Sequence, residues 1–211
     1  MNESSNIKNE WKKSFSNKRF LINFIISFFA LASLFLMLSQ FLQFNEYRVG
    51  AVLNDPLLNI FKPIDLNVEI FVVLYLSVIL AIINIIKSPS ETVIMFIAYG
   101  IMIAMRMTSM YFVQLNPPNS MIELHDPIIL TFASGKMINK DLFFSGHTAT
   151  MCLMYYSVKN KKLKLFLLIG TIFVGLGVLI QHVHYSIDVI AAPFASYLSY
   201  RFAQWIYKSI S

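Results

Sequence analysis

The stretch Asp141-Leu142-Phe143-Phe144-Ser145-Gly146-His147-Thr148 and its counterpart His182-Val183-His184-Tyr185-Ser186-Ile187-Asp188 decide how this chain is read. Between them lie one apolar run, a basic hinge from Lys159 to Lys164, and a second apolar run. If both runs cross a bilayer, the hinge lies on one side and both polar clusters return to the other. Histidines, acids and a helix start then meet at one membrane face, which is a setting for phosphate-ester chemistry on a lipid.

The composition agrees with that crossing. Of 211 residues, 57% are hydrophobic and 13% charged, with mean hydropathy +0.63. A soluble domain carries about 25% charged residues. One helical membrane bundle is expected, without a second domain. The net charge of +6 sits in short runs between apolar segments. That is topological charge, and no nucleic-acid partner is expected. The lone Cys152 lies in an apolar run, which excludes an intramolecular disulfide and reads as packing.

Runs near the ~20 residues a helix needs to cross a bilayer predict an all-α, polytopic membrane protein. It is a bundle of six transmembrane helices, with spans at about 20–43, 66–86, 92–113, 142–158, 165–181 and 187–207. The first run is longer than the ~7–15 residues of a signal h-region, so it is read as an uncleaved span. Residues 1–19 form a polar, basic cytoplasmic tail, and 20–208 the catalytic membrane domain. Lys87-Ser88-Pro89-Ser90-Glu91 reads as a tight turn. Gly170, Gly175 and Gly177 allow close helix contact, and Pro193 predicts a kink. With both termini cytoplasmic, 12 of 17 Lys and Arg residues fall inside; Arg48, Lys62, Arg106, Lys136 and Lys140 fall outside. That satisfies the positive-inside rule and puts His147, His182, His184 and Asp188 on the extracytoplasmic face.

His184 and Asp188 are four apart, one turn along a helical face. A carboxylate beside an imidazole fixes its tautomer and stabilises the imidazolium, leaving the other nitrogen to attack or to take a proton. Ser145-Gly146-His147-Thr148 opens the fourth span. A helix N-terminus offers free N–H groups to a phosphate, and His147 is placed to protonate a leaving oxygen. The catalytic candidates are therefore His147, His184 and Asp188. The candidates for binding substrate or phosphate are Asp141, Ser145, Gly146, Thr148, Arg106, Lys140, His182 and Tyr185. The bland reading of any single member is a hydrogen-bonded helix end. A sharper rival is zinc on His147, His182, His184 and Asp188, but no His-x-x-x-His or His-Glu-x-x-His spacing is present. No metal and no cofactor are expected.

Ser145-Gly146-His147-Thr148 together with His184-Tyr185-Ser186-Ile187-Asp188 resembles the type 2 phosphatidate phosphatase superfamily, and more closely its sphingomyelin-synthase branch. His182 matches an additional histidine of that branch. Arg106-Met107-Thr108 followed by Leu115-Asn116-Pro117-Pro118 is similar to its Arg-x-Thr…Leu-Pro-x-Pro segment. Asp141 stands one residue further from the Ser-Gly-His-Thr motif than the branch's aspartate. Asp55-Pro56-Leu57-Leu58 loosely resembles its first-loop motif. The resemblance implies a six-helix enzyme without metal. In it His184 is the nucleophile, Asp188 orients it, and His147 is acid and base. A phospho-alcohol head group moves from a phospholipid donor to a lipid-alcohol acceptor such as ceramide. Water as acceptor would make a phospholipase C-type hydrolase or a lipid phosphatase. A non-catalytic transporter or scaffold is the remaining alternative, against which the intact trio stands.

One departure bears on the substrate. Lipid phosphatases of the superfamily carry Lys-x6-Arg-Pro and a Ser-Arg before the nucleophile; here Gly177 and Val178 occupy the latter positions, and the former is missing. A dianionic phosphomonoester needs that concentrated positive charge. A diester carries one charge less, so the departure favours a diester.

Overall fold

The computed structural model describes residues 3–126 and 138–211. Lys136, one of the five outer basic residues in the topology above, lies outside them, as does part of the loop expected over 116–140. The described residues form seven helices and no strand: α1 (Glu3–Ser16), α2 (Lys18–Glu46), α3 (Asn67–Ile85), α4 (Pro89–Phe112), α5 (Gly146–Ser157), α6 (Lys161–Ile180) and α7 (Ser186–Ile210). Four of them, α2, α3, α4 and α6, are long and apolar enough to cross a membrane.

Local chemistry sets the boundaries. The tail is a helix rather than an open segment: Trp11 and Phe15 pack on Phe24, and the Trp11 indole donates to the Ile86 carbonyl at 2.8 Å. The expected tight turn before α4 is shorter than predicted, because Pro89 opens the helix, where its fixed φ and missing N–H cost nothing. The fourth apolar run begins its helix only at Gly146, because the Ser145 side chain caps it there. Leu142, Phe143 and Phe144 approach it as non-helical chain. α7 runs unbroken through Pro193.

α4, α5 and α7 pack around a core of Met102, Leu153 and small residues, including Ala98, Ala149 and Ala192, which let helix backbones approach closely. α3 closes over α5 and α6. A Cβ added to Gly177 would come within 2.9 Å of Ile70, so glycine sets that approach. The helices alternate in direction. The ends of α2, α4 and α6 and the starts of α3, α5 and α7 gather at one end. There Asn139 and Lys140 donate to Glu46, Ile64 donates to Ile180, and the Ser145 N–H donates to the Asp188 carbonyl at 3.1 Å.

Candidate active site

The site lies where α5 and α7 begin. Ser145 Oγ accepts the Thr148 N–H at 3.4 Å and lies 3.1 Å from Thr148 Oγ1. The Ser145 hydroxyl caps the helix through the Thr148 N–H, so the N–H groups of Gly146 and His147 remain as donors at its start. The Arg106 guanidinium lies against the Cα of Gly146, where an added Cβ would fall 2.5 Å from its carbon. Arg106 Nε donates to the Phe144 carbonyl at 3.3 Å, and Nη2 is paired with Asp141. Burial pushes the Asp141 carboxyl up. Arg106, with smaller contributions from His184 and His147, more than offsets this and holds it below the usual carboxylate range. Arg106, His147 and His184 thus all lie close enough to Asp141 to act on its charge.

Across from α5, His184 Nδ1 stands 3.2 Å from Asp188 Oδ2, and both side chains are buried. The same oxygen accepts the Tyr185 N–H at 3.0 Å. Asp188 Oδ1 is buried with no partner among the described residues. Burying a carboxylate with one oxygen unsatisfied is costly, and positive charge on His184 relieves it. With Nδ1 held by Asp188, Nε2 is the free edge of the ring.

The structure brings together Arg106, Asp141, Ser145, Gly146, His147, Thr148, His184 and Asp188. It directs three other candidates elsewhere. Lys140 Nζ donates to the Arg48 carbonyl at 2.6 Å. The Tyr185 hydroxyl donates to the Asn116 carbonyl at 2.9 Å and accepts the Leu53 N–H. His182, at φ 57°, turns Nδ1 to Ser120 Oγ at 2.5 Å; burial pushes its imidazole down, against the pull of Asp55. These three hold the covering loops together. Among the described residues, no three or more of His, Cys, Asp and Glu gather as a metal-binding group.

Two acids and a glutamine outside the predicted site residues build the surroundings. Asp126 Oδ2 lies 3.3 Å from His147 Nε2. Asp55 caps α7 from another loop, accepting the Ser186 N–H at 2.6 Å and its hydroxyl at 3.0 Å. Buried Gln181 accepts the Leu66 N–H and donates to the Ile122 and Glu123 carbonyls, strapping the loop that delivers Asp126. The sequence signal for Asp55 is the Asp55-Pro56-Leu57-Leu58 segment; for Asp126 it is only the acidic excess on the side expected to be extracytoplasmic, which holds 8 of 11 acids.

The described residues therefore form an all-helical protein with four membrane-length helices and a cluster of His147, His184 and Asp188 at one end. Residues 140–208, from the loop before α5 nearly to the end of α7, match the PAP2 superfamily C-terminal family. The match supports the type 2 phosphatidic acid phosphatase superfamily and an enzyme of membrane lipid phosphatase or phosphotransferase type. No curated protein and no solved structure matches the chain.

Proposed function

We propose that this chain is a sphingomyelin-synthase-like lipid phosphotransferase, moving a phospho-alcohol head group from a phospholipid to a lipid alcohol through a phosphohistidine on His184. The observation that carries the reading is the buried His184–Asp188 pair facing the α5 start. In this reading Nε2 attacks a phosphate held by the Gly146 and His147 N–H groups and Arg106. In the first half-reaction Nε2 attacks phosphorus and the bond to the diacylglycerol oxygen breaks, with His147 supplying the proton to that oxygen. In the second, the acceptor hydroxyl attacks phosphorus, its proton passes to His147, and the phosphorus–nitrogen bond breaks. Asp188 stabilises the ring charge during both.

In this reading the helices α2 to α7 are six spans, both termini are cytoplasmic, and the site faces the extracytoplasmic side. Beyond the four long apolar helices, α7 supports the count: Ile187, Ile190, Phe194, Leu198, Phe202 and Trp205 form an exposed apolar stripe at helical spacing. That stripe extends ~27 Å at 1.5 Å per residue, close to the ~30 Å hydrocarbon core. α5 is only 12 residues long, or ~18 Å. A Cβ added to Gly175 would meet Val189 and Thr148, so α6 runs on ~4–5 Å past the start of α5. A recessed helix start suits a phosphate carried by a lipid better than a soluble one.

The charge balance supports a diester. Arg106 is answered by Asp141, so the pair adds no net positive charge for a second phosphate negative charge to use. Water as acceptor would turn the same residues into a hydrolase, a reading the phosphatases of the matched superfamily keep open. The test uses purified protein in detergent with fluorescent ceramide or diacylglycerol, candidate phospholipid donors, and fluorescent phosphatidate in parallel, resolved by thin-layer chromatography. A new head-group lipid that requires both donor and acceptor is expected. Dephosphorylated phosphatidate, or head group released without acceptor, overturns transfer in favour of hydrolysis.

A further inference from the structure

We propose that Asp126 is a positioning residue for His147: it holds Nε2, so that Nδ1 is the nitrogen that exchanges the proton. Three observations converge. Asp126 Oδ2 lies 3.3 Å from His147 Nε2, with both side chains 12% exposed. The other oxygen, Oδ1, accepts the Tyr75 hydroxyl at 2.6 Å, which fixes the carboxylate plane. His147 Nδ1 is buried and has no partner among the described residues. A buried imidazole nitrogen without a partner costs free energy in the resting site, and a substrate oxygen would satisfy it.

The surrounding chain makes this a built arrangement. Phe71 and Tyr75 are four apart on α3 and stack at 5.7 Å, and Phe71 sets its ring edge-on to His147 at 5.8 Å. One helical face therefore supplies both a wall for the imidazole and the donor that orients its carboxylate. The loop bearing Asp126 is tied down at several points. Asn67 donates to the Glu123 carbonyl and accepts the His125 N–H, the Ile122 N–H donates to the Gln181 carbonyl, and Gln181 Nε2 bonds two carbonyls of the loop. The two histidines are then set in opposite senses. Asp188 holds Nδ1 of His184 and frees Nε2 for attack; Asp126 holds Nε2 of His147 and frees Nδ1 for the proton.

The catalytic consequence rests on the transferase reading above, whereas the orientation of His147 does not, and two measurements separate them. The first is nitrogen NMR of histidine-labelled full-length protein in detergent, at a pH where the ring is neutral. The chain has four histidines, and His147→Asn identifies the signal. Protonated Nε2 with bare Nδ1 is expected, lost to a tautomer mixture in Asp126→Leu. The opposite tautomer, or a signal indifferent to Asp126→Leu, overturns the proposal whatever the activity. The second measurement follows only the first half-reaction, in a single turnover without acceptor, and compares diacylglycerol release from a phospholipid donor with nitrophenolate release from a diester whose leaving group needs no proton. Asp126→Asn should cost about 10²-fold with the phospholipid and under about threefold with the nitrophenyl donor, with Asp126→Glu recovering part of the loss. Equal losses with both donors would make Asp126 a structural strap and overturn its positioning role. A wild-type chain that transfers nothing but shows the expected tautomer defeats the transferase reading and leaves the orientation of His147 standing.

Discussion

Gly146→Ala separates the chemistry of this site from its stability. Alanine is the better former of a helix interior by about 1 kcal/mol, and at the first helical position, where Gly146 stands, propensity makes the substitution stabilising by no more than that. The added Cβ, however, would lie 2.5 Å from Arg106 Cζ and Nη1 and 2.6 Å from Nη2. Ordinary carbon contacts are about 3.5 Å, so the guanidinium has to retreat by about 1 Å. It has little freedom to do so, being 8% exposed, paired with Asp141, and bonded to the Phe144 carbonyl at 3.3 Å. A retreat of that size takes the carbonyl bond beyond hydrogen-bond range, at a cost of about 1.5–3 kcal/mol for a charged donor. Set against the propensity gain, the net destabilisation is about 1 kcal/mol. The effect on turnover should be larger, because a displacement of ~1 Å in a positioning group can cost about 10²-fold, or ~2.7 kcal/mol of barrier. The assay is head-group transfer by thin-layer chromatography beside thermal unfolding in the same detergent. Wild-type turnover in Gly146→Ala, or the full stabilisation that propensity demands, would refute the placement of Arg106 at the phosphate.

Two other perturbations test the remaining parts. His184→Ala should abolish turnover while the chain still folds, since Asp188 keeps the Tyr185 N–H; wild-type activity in that variant would sink the phosphohistidine. Chelator should leave activity unchanged, and a loss that zinc restores would revive the metal reading. At Asp55, burial raises the carboxyl but the Ser186 N–H and hydroxyl, together with the Leu57 and Leu58 N–H groups, outweigh it, so its folded value is lowered. A depressed carboxylate adds stability above its unfolded pKa of about 3.9, and this contribution fades as pH falls through the lowered folded value. The stability gap between wild type and Asp55→Asn should therefore be full at neutral pH and shrink in acid below about pH 4. A gap that stays constant through that range counts against the α7 cap.

The two histidine–carboxylate pairs show which parts of such a site can be read from sequence. His184 and Asp188 lie within one helical turn, so their meeting follows from spacing, and the structure places them 3.2 Å apart. His147 and Asp126 are 21 positions apart; Gln181 and Asn67 bring Asp126 there by pinning residues 122–125, just before it, to the end of α6 and the start of α3. No periodicity encodes that path. Ser186 and Asp55 are separated by 131 positions, and their meeting was equally hidden. Sequence proximity misleads in the other direction too: Lys140, His182 and Tyr185 flank the motifs, yet their polar atoms turn to Arg48, Ser120 and Asn116. Hydrophobicity blurred the start of α5 for a similar reason. Leu142 to Phe144 read as the start of a span because they are apolar, whereas a capping serine and the Asp188 carbonyl decide where the helix begins. Apolar pattern thus reports which segments are helical and roughly how long. The depth of the site and the second carboxylate come from long-range polar bonds between loops, and substitutions at Asp126, Asp55 and Gln181 will test the site more sharply than further changes within its motifs.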